Sequence, residues 1–103
     1  MGQDEDFISK RTARQRACRR LRALAKQAAK LDCGRLPNQL SAFAVVVDIG
    51  SAALVDQVRS TLEERLTSTS MPPDAERIMR EALEAVMEVV EAPEEGDKRT
   101  HVA

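Results

Sequence analysis

Ala17, Leu21, Leu24, Ala28 and Leu31 recur at 4-3-4-3 spacing, and a chain carrying that stripe has few conformational options. Positions that repeat every 3.5 residues share one narrow face of an α-helix, whereas a strand would scatter them over both faces. At 100° per residue, Arg11, Arg16, Arg19, Arg22, Lys26 and Lys30 fall around the opposite side. Alanine, leucine, arginine, lysine and glutamine dominate the segment, and all are good helix formers. Asp4, Glu5 and Asp6 precede the bases, an order that complements the helix macrodipole. These features predict a helix over about 5–32, with Gly34 as its C′ residue and Pro37 barring simple continuation.

The next segment, 38–67, is the ambiguous one. Leu40, Phe43, Val47, Leu54, Val58 and Leu62 suit a helix face. Phe43-Ala44-Val45-Val46-Val47-Asp48-Ile49-Gly50 is also a β-branched run closed by glycine, which would make a buried strand. No other run in the chain resembles a partner strand, so a strand here would have to pair across a dimer. Helix with a break near Gly50 is therefore the preferred reading, with the exchanged strand as its alternative. Thr67 to Pro73 has the composition of a loop. A last helix over 74–91 opens on Asp74 and Glu76 and stops at Ala92-Pro93. Its apolar side is Ile78, Met79, Ala82, Val86, Val89 and Val90, and Glu81, Glu84, Glu88 and Glu91 form a second stripe. Residues 93–103 have the composition of a disordered acidic tail.

The expected architecture is thus one all-α domain over 1–92 with three main helices, 5–32, 38–67 and 74–91. Leucine, isoleucine, valine and phenylalanine make up just over a fifth of the 103 residues, enough for one small aliphatic core. A small core beside a narrow apolar seam is often completed by a second copy. Ala17, Leu21, Leu24, Ala28 and Leu31 are the expected homodimer interface.

Composition removes several functions. Phe7 and Phe43 are the whole aromatic content, so stacking on bases, sugars or flavins has little material. One histidine, His101, and two cysteines rule out an ordinary His/Cys metal cage, and no cofactor is expected. The serines lack a positioned base, and adjacent carboxylates such as Glu63-Glu64 point apart on a helix, so no catalytic residue is assigned. Cys18 and Cys33, on one helix, would lie roughly 22 Å apart, beyond disulfide reach. Free thiols, an acidic start unlike a signal peptide, and no long apolar run predict a cytoplasmic protein without a membrane partner.

Asp48-Ile49-Gly50-Ser51, following the valine run, resembles the first phosphate loop of actin-like and hexokinase-like ATPases. The likeness covers four residues, no second carboxylate loop or GxxxxGK[ST] motif accompanies it, and those folds need far more chain. A helix break explains the same residues.

Charge is the remaining signal. The net charge is −1, yet residues 9–35 carry ten bases against Asp32 alone, while residues 36–103 carry thirteen acids against six bases. Arg11, Arg14, Arg16, Arg19, Arg20, Arg22, Lys26 and Lys30 are the expected nucleic-acid-binding residues, since phosphate contacts of this kind supply much of the affinity for DNA or RNA. A helix-turn-helix is a poor fit because the basic helix comes first and acidic segments follow. The competing reading pairs the basic helix with the glutamate stripe, or with an acidic protein partner, making the chain an adaptor or chaperone-like dimer. A solvated basic face with neither role is the plainest account.

Overall fold

The computed structural model describes residues 10–68 and 70–92, and among these residues it contains four helices and no strand. They are α1 (Lys10–Lys30), α2 (Leu36–Ile49), α3 (Ala52–Ser68) and α4 (Pro73–Glu91). The all-α expectation holds, but the helix count differs because the break at Gly50 is complete. Gly50 caps α2 in an extended conformation, φ −77° and ψ 165°, and its N–H donates to Val46 O at 2.7 Å. Ser51 then caps α3, its Oγ accepting the Leu54 N–H at 3.2 Å. Two residues thus end one helix and start another. The valine run is helical, with Ala44 and Val47 buried and Val45 48% exposed. The expected helical start at residues 5–9, and the tail over 93–103, lie outside the described residues.

The end of α1 also differs from expectation. Asp32, at φ 58°, is the left-handed C′ residue. Its N–H donates to Ala29 O at 3.2 Å and the Cys33 N–H donates to Ala28 O at 3.0 Å, which is the hydrogen-bond pair of a Schellman cap. Gly34, at φ 63°, supplies a second left-handed residue that turns the chain into α2. Pro37 occupies the first turn of α2, where its missing N–H costs nothing.

The helices pack in a ring. α1 lies against α2 and α4, α4 lies against α3, and α2 and α3 meet more sparsely beyond their junction. The interior is aliphatic: Leu21, Leu40, Leu62, Ile78, Val47, Val55, Val86 and Val89 are its largest fully buried side chains. Phe43 is half-buried against this core. Leu54, expected inside, is 47% exposed, because the corner at Gly50-Ser51 sends the Val55-Val58-Leu62 stripe of α3 inward instead. No buried side-chain nitrogen or oxygen is unpartnered among the described residues. None of the helices is long and apolar enough to cross a membrane.

The proposed dimer seam is used within the chain. Ala17, Leu21 and Ala28 are fully buried and Leu24 is 3% exposed, all in the core of a single copy. Leu31 is 43% exposed, one residue past the end of α1. A stripe that reads as an interface is here the ordinary inner face of a helix covered by α2 and α4.

Candidate nucleic-acid interface

The structure divides the eight expected cationic residues into two groups. Arg14 and Arg20 turn toward the rest of the fold. Arg14 sits beside Leu21 and Ala25 on the helical projection, and its Nη1 donates to Val47 O at 3.2 Å and to Gly50 O at 2.7 Å. Both carbonyls lie at the C-terminal end of α2, where they lack partners within the helix and attract positive charge. Arg14 is therefore a clamp on the α2–α3 corner. Arg20, half-buried, reaches α4 with nitrogens 3.7 Å from carboxylates of Glu84 and Glu88. Such solvent-exposed pairs contribute little stability.

The other six, Arg11, Arg16, Arg19, Arg22, Lys26 and Lys30, are exposed. By helical geometry they occupy an arc of about 140° along about 28 Å of axis, with successive cations stepping roughly 4–8 Å. No ion pair to any of them occurs among the described residues. α1 itself contains no acid, and the gaps between the cations hold small or neutral residues such as Gln15, Ala23, Gln27 and Ala29. Arg16 and Arg19 meet Arg20 and Glu88 in a shallow depression at the α1–α4 edge.

The glutamate stripe of α4 is spoken for differently. Glu81 pairs with Arg77 at 3.0 Å and Glu76 with Arg80 at 2.6 Å, both within α4. Glu84 and Glu88 form ion pairs with Arg20 alone among the α1 cations. On α3, Arg59 lies between Asp56 at 2.8 Å and Glu63 at 2.6 Å, and its hydrogen bond holds the Asp56 carboxyl below the ordinary aspartate range. Arg65 donates to the side chain of Gln39, tying α3 to α2. Among the described residues, Asp56, Glu63, Glu76, Glu81, Glu84 and Glu88 thus pair with Arg20, Arg59, Arg77 or Arg80, and none pairs with the six exposed cations of α1.

Other candidates receive no geometric support. Asp48-Ile49-Gly50-Ser51 forms the helix corner, without the strand a phosphate loop follows. Cys18 is buried in the core and Cys33 packs at its edge; both are free thiols. The described residues hold no cluster of three potential metal ligands. His101 lies outside the described residues. Arg14, expected among the nucleic-acid-binding residues, instead holds the α2–α3 corner, and its place beside Leu21 and Ala25 on the helical projection is the signal for that inward role.

No protein-family pattern, curated protein or solved structure gives a match to this chain. The site must be read from its own geometry.

Proposed function

We propose that this chain is a small non-enzymatic regulator or accessory protein that binds nucleic acid through the outward face of α1. The observation supporting this is the row Arg11, Arg16, Arg19, Arg22, Lys26 and Lys30, exposed along one helix with no acidic partner among the described residues. Like charges in a row repel unless anions sit nearby. A duplex presents one negative charge per about 1.7 Å of axis, so a helix of about 28 Å runs beside ample phosphate. The face carries no aromatic side chain, so recognition rests on backbone contacts and tolerates sequence.

Anisotropy of labelled duplex DNA and single-stranded RNA, measured across salt concentrations, tests this. Six phosphate contacts give a log–log slope of about −5 on duplex DNA, hence a loss of about 10³-fold between roughly 50 and 200 mM salt. Arg19→Ala with Arg22→Ala flattens the slope by about two units and weakens all sequences alike. Melting hardly moves, because exposed substitutions of this kind change stability by under about 0.5 kcal/mol. A wild type that ignores both probes at low salt overturns the proposal.

One observation favours a second reading, a helical interaction module: Arg20 already joins α1 to Glu84 and Glu88 of α4. In that case the row serves an acidic protein partner, and neither DNA nor RNA binds.

A further inference from the structure

Arg20 differs from the other ion-paired arginines among the described residues. Arg59, Arg77 and Arg80 meet their carboxylates at 2.8 and 2.6, 3.0 and 2.6 Å, all within hydrogen-bond length. Arg20 comes no closer than 3.7 Å to Glu84 or Glu88. Its N–H groups feel the two acids as charge but donate no hydrogen bond to them. Glu84 and Glu88 have side chains 72% and 55% exposed, so water serves both carboxylates.

Arg20 is also one corner of a triangle. Arg19 and Arg20 lie three and four residues beyond Arg16, and at 100° per residue Arg16 falls between them around the helix. These three side chains and Glu88 line the shallow depression at the α1–α4 edge. One carboxylate there faces three guanidinium charges, and like charges at these spacings repel.

We infer that this depression seats a phosphate between Arg16, Arg19 and Arg20, and that Arg20 exchanges its glutamates for it. The inference deepens the nucleic-acid reading of α1, on which the source of the phosphate rests: Arg20 becomes a seventh phosphate contact, kept beside α4 until the backbone arrives.

The geometry favours phosphate over a carboxylate. Glu84 and Glu88 are fixed to α4 and leave the guanidinium without a hydrogen bond, whereas a phosphodiester can move into the depression. There it accepts paired N–H bonds of about 2.7–2.9 Å from an arginine fork. A tetrahedral group can also be approached by all three side chains at once. An exposed ion pair is weak, so giving it up costs the complex little.

Anisotropy of labelled duplex DNA across salt concentrations, on wild type and Arg20→Gln, tests the exchange. A seventh contact means that Arg20→Gln flattens the log–log slope by about one unit. An Arg20 that stays with its glutamates leaves the slope unchanged, which overturns the inference while the nucleic-acid reading stands. Glu84→Gln with Glu88→Gln frees Arg20 and tightens DNA binding by about two- to fivefold at low salt. That gain is expected to vanish when Arg20→Gln is added. A gain that persists is general charge, and it too overturns the inference. Poly-glutamate that reproduces the Arg20-dependent slope overturns phosphate as the occupant.

Nitrogen-15 spectra of the arginine side chains, titrated with inorganic phosphate, separate the two readings. A wild type that ignores DNA and RNA, yet shifts Arg16, Arg19 and Arg20 together, loses the nucleic-acid function and keeps the subsite for a small phosphate compound. A wild type that responds to neither overturns both.

Discussion

Replacing Arg14 by alanine deletes a guanidinium that bridges Val47 O and Gly50 O, at 3.2 and 2.7 Å, across the end of α2. Hydrogen bonds from a charged donor are worth about 1.5–3 kcal/mol each when removed. The side chain is half-buried and the Val47 bond is long, so water replaces part of that sum. Loss of a cation at a helix C-terminus adds about 0.3–1 kcal/mol, and the better helix propensity of alanine returns a few tenths. The net cost is about 2–3 kcal/mol. For a domain of this size, 1 kcal/mol moves the midpoint by about 4–8 °C, so the variant should melt about 10–20 °C below wild type. Thermal denaturation followed by far-ultraviolet circular dichroism reads this directly. Arg19→Ala, an exposed arginine on the same helix, is the control and should melt within about 4 °C of wild type. Arg14→Lys keeps the charge but not the forked geometry, and should recover less than half of the loss. If Arg14→Ala and Arg19→Ala melt alike, the corner is not held by Arg14 and the division of the arginines fails.

Gly50→Ala places a Cβ 2.5 Å from Val46 O and 3.1 Å from Val46 Cγ1, at a φ of −77° that alanine adopts freely. The cost is therefore steric, about 1–3 kcal/mol, and a lowered urea midpoint checks it. Arg59→Ala removes the hydrogen bond that holds the Asp56 carboxyl low, so carbon-detected titration by nuclear magnetic resonance should show the Asp56 midpoint rising toward the ordinary value. Because the folded-state pKa is the depressed one, the stabilisation from this pair is complete above the unfolded-state pKa. It fades as pH falls through the folded value, and Arg59→Ala should lose that acid-side dependence.

What the sequence made legible follows from how local each signal is. The apolar stripe of α1 and the apolar side of α4 are legible because each helix has one apolar face, but spacing alone does not tell whether the α1 stripe meets its own chain or a second copy, and the expected dimer seam is instead buried within one copy. α2 was harder, since Leu40 and Val45 are equally apolar and only the position of α1 decides which of their faces is covered. Leu54 was misplaced for a related reason: the periodicity of 38–67 treats the segment as continuous, and a corner of two residues resets the phase. Asp32 rather than Gly34 became the C′ residue because the Schellman hydrogen bonds set the end of α1 two residues earlier than glycine preference alone implies. Among the cations, the 100° projection places Arg11, Arg16, Arg19, Arg22, Lys26 and Lys30 outward, and all six are exposed. The partners of Arg14 and Arg20 lie on α2 and α4, and no spacing along α1 reveals them.

α1 is covered on one side by α2, which follows it directly, and on another by α4, which is made only after two further helices. During vectorial synthesis, the side of α1 that packs on α4 therefore waits for residues 73–91 before the interior closes, and the ring is completed only with the last helix. Contacts that join distant parts of a chain are made late and at greater entropic cost. Until then the nascent α1 has only α2 against its inner face, while its full row of cations lies on the other. The segment that carries the charge is also the one whose apolar face stays open longest while the chain is being made.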